Sequence, residues 1–360
     1  MQETPLNTWN IWRRILTSPA WRQNSLLVGL TLFYLAWVFI VATLNGYMDS
    51  FNLGIYWSIV LKTILYTAIL MGFVGLLHLV LIKRPARPLT LLAKNVMAYF
   101  SDVDRLLNVA LAILIIPVMA SLYTSFKTMI PALVPFYLDQ AFMEIDRAVH
   151  FGHDPWRLTH ALFGGPGLTV FINFVYHLWF FFLWGFLLYN VFFNKNLKQR
   201  MQYMVGFVLT WMLLGSLGAL ALSSAGPVYY AEVTGLASPF ASLMDGLRMM
   251  DAELRASGDF SRIWALDVQD RLWDVYANSK TGVGAGISAM PSLHLATTAL
   301  MTFHAFQLNR WLGWFMVAFL VVMLVGSVHL GWHYAIDGYV AIPLTYGLWR
   351  LSGWAVRKTF

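Results

Sequence analysis

The sequence predicts an all-α polytopic membrane protein with about eight transmembrane helices. Of its 360 residues, 59% are apolar and only 11% are charged, whereas an average soluble domain has about 25% charged residues. Apolar runs of roughly 18 residues or more, long enough to cross a bilayer, recur along the chain. Aromatic residues make up 16% of the chain, which is typical of proteins whose helix ends lie at membrane interfaces. Most of the surface is therefore expected to face lipid.

The eight predicted spans follow from these apolar runs. They cover about residues 25–45, 57–82, 105–124, 166–193, 202–224, 289–308, 312–333 and 336–356. The first run is as long as a full span and is not followed by a convincing small-residue cleavage site, so we do not expect it to be a cleaved signal peptide.

Basic residues are concentrated in alternate connecting segments. They are Arg13, Arg14, Arg22, Lys83, Arg84, Arg87, Lys94, Lys195, Lys198, Arg200, Arg310, Arg357 and Lys358. In contrast, the 225–288 segment has eight acidic residues and five basic ones. Cytoplasmic segments of membrane proteins carry the excess of Lys and Arg, so both termini are expected in the cytoplasm. The absence of an organelle signal favours a bacterial inner (plasma) membrane, with a eukaryotic Golgi or endoplasmic reticulum membrane as the alternative.

Two long segments lie on the opposite, outer side. The segment 125–165 mixes apolar and charged residues, which suits short helices lying in the membrane interface, with a solvated loop as the alternative. The segment 225–288 has helical stretches around 241–256 and 261–277, and we expect it to form a cap over the outer face. The chain divides into an N-terminal segment 1–104 with two helices and a membrane domain 105–360 with six.

The first polar motif opens the sixth span and runs from Gly284 to His294. Glycines allow the backbone to approach a ligand closely, and proline suits the first turn of a helix. Free N–H groups at a helix start favour an anion there. Ser288 and Ser292 add hydroxyl groups. Ionisable residues at membrane depth indicate a functional site by default.

The second polar motif lies between the last two spans and contains His329, His333 and Asp337. On a continuous helix, His333 and Asp337 would be one turn apart on the same face. A carboxylate bound to one imidazole nitrogen fixes the tautomer and leaves the other nitrogen available as a nucleophile. The alternative is a metal site formed by all three residues, which are spaced four apart. The chain has no cysteine, which excludes thiolate catalysis, disulfides and cysteine-bound metal.

Together, Pro291-Ser292-Leu293-His294 and His333-Tyr334-Ala335-Ile336-Asp337 resemble the second and third signature motifs of the type 2 phosphatidic acid phosphatase superfamily. Within it, the chain resembles the inositol phosphorylceramide synthase branch. The similarity extends upstream through 146–155, Tyr176-His177 and 225–230, so it covers roughly residues 120 to 350. The resemblance implies a six-helix phosphatase-like catalytic core with two additional N-terminal helices and an outer cap.

The resemblance also implies a mechanism through a phosphohistidine at the outer membrane face, with no metal and no other cofactor. His333 would attack phosphorus, and Asp337 would orient it. His294 would protonate the departing oxygen and then activate the acceptor, which is water or an alcohol. The substrate would be a membrane lipid, such as a phospholipid, a polyprenyl phosphate or a sphingolipid. The chain has a net charge of +7, and its basic residues lie beside apolar runs. This placement favours anionic lipid rather than nucleic acid as the partner of the protein. The sequence carries no signal for an oligomeric state.

Two departures from the family pattern bear on the substrate. Ser327 stands where the phosphatase form has an arginine, and the lysine and arginine of the first motif are missing, with Ala225-Gly226-Pro227 as their positional counterpart. A phosphodiester carries one charge and needs fewer cationic donors than a monoester or pyrophosphate. The predicted phosphate-binding residues are Ser292, Ser288, Lys127, Ser327 and His329, with Arg271 or Lys280 as further cations.

These departures favour a phosphodiester donor and an alcohol acceptor. One alternative is a lipid phosphate or polyprenyl pyrophosphate phosphatase that uses the same site. The other is a lipid transporter that retains the fold.

Overall fold

The computed structural model describes residues 8–258, 262–278 and 282–360. Within these ranges it contains fifteen α-helices and no strand. They are α1 (Thr8–Leu16), α2 (Ala20–Leu44), α3 (Trp57–Lys83), α4 (Pro88–Phe100), α5 (Val103–Leu133), α6 (Asp139–Val149), α7 (Pro155–Phe163), α8 (Pro166–Phe193), α9 (Leu197–Ala221), α10 (Tyr230–Thr234), α11 (Ala241–Ala256), α12 (Trp264–Ala277), α13 (Leu293–Leu308), α14 (Arg310–His329) and α15 (Ala335–Thr359).

Six of these helices, namely α2, α3, α5, α8, α9 and α14, are long and apolar enough to cross a membrane. The predicted all-α polytopic membrane protein is therefore confirmed. The sixth and eighth predicted spans correspond to α13 and α15, which are not among these six. With only 16 residues, α13 is short for a spanning helix. Eight membrane crossings therefore remain a prediction.

The central helix of the bundle is α13, which packs against α8, α9, α14 and α15. Its polar side chains Thr297, Thr298, Thr302 and His304 are all buried. Thr302, for example, donates a hydrogen bond to the carbonyl oxygen of Thr298 at 2.8 Å. Because its neighbours are protein rather than lipid, α13 does not need the apolar surface of a lipid-facing helix.

The outer end of α5 differs from the sequence-based boundary. The third span was predicted to end near residue 124, but α5 continues to Leu133. Phe126, Met129 and Ile130 are buried against the core, so packing keeps this part helical. The following segment contains two short helices, α6 and α7, as predicted for 125–165. Their location in the membrane interface remains a prediction.

The predicted cap stretches correspond closely to α11 and α12. We use the name cap for these two helices. The side chain of Gln269 on α12 donates to the carbonyl oxygen of Leu330 at 2.9 Å, just after the end of α14. The backbone oxygen of Gln269 in turn accepts from the hydroxyl of Tyr229 at 2.9 Å. The cap is thus attached directly to the turn that carries the second polar motif.

At the opposite end of the bundle, buried Arg200 ties three helices together. Its Nε donates to the carbonyl oxygen of Asn190 on α8 at 2.9 Å. Its two terminal nitrogens donate to the side chain and the backbone oxygen of Asn108 on α5, at 2.8 and 2.6 Å. Arg200 itself lies in the first turn of α9, which begins at Leu197, so α5, α8 and α9 are held together at the end away from the cap.

Candidate active site

A cavity of about 450 Å³ lies between α5, α8 and α9 beneath the cap, and both His294 and His333 line it. Its inner part is lined by apolar and aromatic side chains such as Met119, Leu183 and Trp211. The two motif histidines therefore lie in one cavity, at the polar end of an apolar groove.

His333 does not belong to a helix, contrary to the geometry considered from the sequence. It lies in the turn before α15, whose N-cap is Tyr334. Its backbone N–H donates to the carbonyl oxygen of Ser327 at 3.1 Å. Asp337 nevertheless reaches it, because the Asp337 carboxylate folds back over the start of α15 in a capping box.

The His333–Asp337 contact is direct. His333 Nδ1 lies 3.0 Å from Asp337 Oδ2, and the same oxygen accepts from the N–H of Tyr334 at 3.1 Å. Asp337 is fully buried. An ionised carboxylate only accepts hydrogen bonds, so this contact favours the His333 tautomer with the proton on Nδ1 and the lone pair on Nε2.

His294 lies in the first turn of α13 and is held between aromatic rings. The ring centroids of Trp179 and Tyr176 lie 4.3 and 5.2 Å from that of His294. The His294 and His333 ring centroids are 6.1 Å apart, and both rings line the same cavity. The two imidazoles can therefore act on the same phosphoryl group.

The glycine-rich segment before α13 is packed tightly against α5. Gly286 has a φ of +91°, and a Cβ there would lie 2.8 Å from the side chain of Lys127. Ser288 lines the cavity together with Gly284 and Gly286. This segment therefore brings backbone and one hydroxyl group to the cavity, as its glycines suggested.

Two cations line the same cavity. Lys127 comes from α5 and Arg271 from α12 of the cap. Neither has an ion-pair partner among the described residues. Lys280, the other cation considered from the sequence, lies outside the described residues.

The remaining predicted phosphate-binding residues lie behind the cavity wall. Ser292 is the N-cap of α13, and its hydroxyl accepts from the N–H of Leu295. The hydroxyl of Ser327 donates to the carbonyl oxygen of Leu324 at 2.8 Å. Both are fully buried, so in this structure their hydroxyls stabilise backbone and do not face the cavity.

His329 also points away from the cavity. Its Nε2 lies 3.0 Å from the hydroxyl of Thr169, and its ring stacks on His160 at 3.9 Å between centroids. Burial lowers the pKa of His160. His329, His333 and Asp337 therefore do not converge, and no group of three metal-ligating side chains that could hold an ion occurs in the described part of the chain.

Two acidic residues of α6 position the site, and their roles were not identified from the sequence. Asp139 accepts from the N–H groups of Ala225 and Gly226, with shortest distances of 2.9 and 2.8 Å, and from the hydroxyl of Tyr334 at 2.9 Å. Gly226 is required there, because a Cβ would lie 2.6 Å from the Trp332 carbonyl oxygen. Asp139 thus fixes the 225–226 loop against the turn that carries His333.

Asp146 caps the helix that follows this turn. Its carboxylate accepts from the N–H groups of Ala335 and Ile336 at 2.8 and 3.0 Å. These are the first two residues of α15, whose free N–H groups attract a carboxylate. The pKa of Asp146 is raised to about 6: burial is the main cause and the nearby charge of Asp337 adds to it, while the two N–H donors oppose the change.

Comparison with known families adds an independent observation. A family model described as the PAP2 superfamily matches residues 140–351, more than half of the chain. The match includes α6 from its second residue, both histidine motifs and the cap. No curated protein and no solved structure shows a significant match.

Proposed function

The chain belongs to the PAP2 superfamily, and we propose that it is a lipid phosphotransferase acting through a phosphohistidine at His333. Membership alone identifies a phosphatase- or phosphotransferase-type lipid enzyme. The observation that carries the proposal is the pair of cavity-facing imidazoles, one of them held by a buried carboxylate at 3.0 Å.

The chemistry proceeds in two balanced steps. In the first, Nε2 of His333 attacks phosphorus, an N–P bond forms, and the P–O bond to the lipid alcohol breaks. The positive charge that develops on the imidazole is stabilised by Asp337, as in a catalytic triad. His294 gives its proton to the departing oxygen. In the second step, His294 takes a proton from the acceptor hydroxyl, whose oxygen attacks phosphorus and releases His333.

We propose a phosphodiester as the donor and an alcohol as the acceptor, as in the inositol phosphorylceramide synthase-like branch. Phosphate monoesters and pyrophosphates carry more charge and call for several cationic donors, usually bidentate arginines. Among the described residues, the cavity offers one lysine and one arginine, from α5 and the cap. The apolar groove below the histidines fits the lipid chains of the donor.

We also propose that the cap faces the extracytoplasmic side and both termini face the cytoplasm. The charge distribution supports this orientation. Because the chain lacks cysteine, a single Asp245→Cys variant can be labelled from either side of sealed vesicles. Labelling from the cytoplasmic side alone would contradict the proposed orientation.

The test of the proposed function is turnover by the purified, detergent-solubilised full chain with excess EDTA. The donors are a phosphodiester lipid, its phosphomonoester and a polyprenyl pyrophosphate. Wild type is compared with His333→Ala and with His153→Ala, which removes an exposed histidine outside the cavity. We expect release of the lipid alcohol by wild type and His153→Ala, a loss of at least about 10³-fold in His333→Ala, and preference for the phosphodiester.

Each other outcome has a defined meaning. Turnover that survives His333→Ala overturns the phosphohistidine. Preference for the monoester or the pyrophosphate supports the phosphatase alternative. Lipid movement across vesicles without turnover of any donor supports a transporter.

A further inference from the structure

We propose that the cavity selects donor lipids whose head group is neutral or anionic, and that Arg271 of the cap determines this selection together with Lys127. The inference rests on the proposed function, because it names the class of donor that the same site accepts. Head groups that carry an ammonium group, such as ethanolamine and choline, are disfavoured.

The first observation is the charge of the cavity wall. Among the described residues, no Asp or Glu lines the cavity, whereas Lys127 and Arg271 both do. This is notable because the 225–288 segment as a whole is acidic. An ammonium group entering the cavity would therefore find cations and no carboxylate partner.

The second observation is that Arg271 differs from the other described arginines of the 225–288 segment. Arg248 pairs with Asp270 at 2.8 Å. Arg255 pairs with Asp251 and Asp267 at 2.6 and 3.1 Å, and Arg262 with Asp267 at 3.2 Å. Arg271 has no such partner among the described residues and lines the cavity instead. Its guanidinium is thus available to a ligand.

The third observation concerns Lys127. Its stem packs against Gly286, and its Nζ lies 6.0 Å from the ring centroid of Tyr123, one turn back along α5 on the cavity wall. The lysine therefore extends along the wall and is half-buried with no anionic neighbour in the described structure. A buried, unpaired cation is costly, and an anionic ligand offsets that cost.

The carboxylates nearest to the histidines cannot neutralise this region. Asp139 and Asp146 bind backbone N–H groups, and Asp337 binds His333. All three are buried, and none lines the cavity. The cavity therefore presents positive charge to the donor.

Two interactions compete for an ammonium head group. Two unit charges about 4 Å apart interact by several kcal/mol at the effective dielectric constant of a protein surface, so a cation beside Lys127 or Arg271 is repelled. Aromatic rings attract quaternary ammonium groups more weakly. The repulsion exceeds the attraction, so a head group that carries an ammonium group is disfavoured.

The test compares phosphatidylglycerol, phosphatidylethanolamine and phosphatidylcholine with identical acyl chains, using kcat/KM for diacylglycerol release. We expect phosphatidylglycerol to exceed the other two by about tenfold or more, which corresponds to about 1.4 kcal/mol. In Arg271→Gln this ratio should fall several-fold. The matched control, Arg248→Gln, removes a paired arginine of the same cap and should keep the wild-type ratio. Thermal midpoints of both variants verify that they are folded.

The outcomes separate the inference from the function on which it rests. Equal turnover of all three donors, or an unchanged ratio in Arg271→Gln, overturns the head-group selection and leaves the phosphotransferase intact. If Arg271→Gln lowers kcat/KM equally for all three donors, so that their ratio is preserved, the head-group selection is likewise overturned. If none of the three donors nor any other phosphodiester is turned over, the proposed function fails and the selection fails with it.

Discussion

The aromatic surroundings of His294 indicate what this residue does in the proposed reaction. Trp179 and Tyr176 hold the ring on two sides, and Trp179 is itself anchored by a 2.9 Å hydrogen bond to Thr297. A ring fixed in this way has one orientation towards the cavity. That suits a proton donor and acceptor whose position relative to phosphorus must be constant.

The first prediction separates His294 from His333. General acid catalysis is worth about 10²–10⁴-fold, and it matters less when the leaving group is a weak base. We expect His294→Asn to lower turnover of a phosphodiester lipid by this amount. With a p-nitrophenyl phosphodiester, whose leaving group needs no proton, most of the first-step rate should return.

His333→Asn provides the contrast. It should remain inactive with both donors, because the nucleophile is missing. The measurement is the burst of p-nitrophenolate in a stopped-flow experiment. An equal defect of His294→Asn with both leaving groups would contradict its role as the acid.

For single residues, the sequence predicted which residues belong to the site better than it predicted which atoms each side chain contacts. His294, His333 and Asp337 meet as expected, because they belong to two short motifs. Ser292 and Ser327 were assigned to phosphate contact, but their hydroxyls bind backbone. A serine before a helix has two uses, as an N-cap or as a ligand, and the sequence alone does not distinguish them.

Among the elements, α6 has the clearest structural task. Asp139 binds the 225–226 loop and Asp146 binds the start of α15, so one short helix holds two segments that border the site. The sequence did not reveal this, because both partners of each contact are far apart in the chain. The signals in the sequence were the acidic residues of this amphipathic stretch and the family similarity that begins at Asp146.

The second prediction follows from the pKa of Asp146, which burial raises from 3.8 to about 6. The folded protein then binds a proton more tightly at this site than the unfolded chain does. The stabilisation is fully present below about pH 4 and is lost as the pH rises through about 6. Asp146→Asn removes this titration.

We therefore expect the thermal midpoint of Asp146→Asn, relative to wild type, to rise between about pH 4 and about pH 7.5. Asp245→Asn, which changes an exposed aspartate of the cap outside the cavity, is the control. If the thermal midpoint of Asp146→Asn minus that of wild type stays constant, or falls as the pH rises, the raised pKa of Asp146 is contradicted.

Across the whole molecule, the sequence predicted the long helices well, because an apolar run is a local feature of the sequence and lies within the helix that it predicts. The six long helices were found in this way. The cavity was not, because it is formed by faces of α5, α8 and α9 that meet only in the folded bundle. The buried threonines and histidine of α13 became understandable only when its protein neighbours were known.

The bundle geometry indicates how a lipid reaches the histidines. The closest packing between α5 and α8 involves the last turn of α8, Tyr189–Phe193, at the end tied by Arg200. Towards the cap the two helices diverge, and both line the cavity. Phe180 of α8 lines the cavity and is 49% exposed. We therefore expect the cavity to open towards lipid between these helices, so that a lipid chain enters sideways.

The third prediction tests this route with the cysteine-free chain. In Ala120→Cys/Phe180→Cys, short bismaleimide cross-linkers should join α5 to α8 across the opening. Turnover of a long-chain donor should fall by about tenfold or more, whereas a short-chain, water-soluble donor that can reach the cavity beneath the cap should be affected much less. Each single-cysteine variant treated with the same reagent controls for modification alone. An equal loss with both donors would indicate distortion of the site, and no loss after complete cross-linking would show that the donor enters elsewhere.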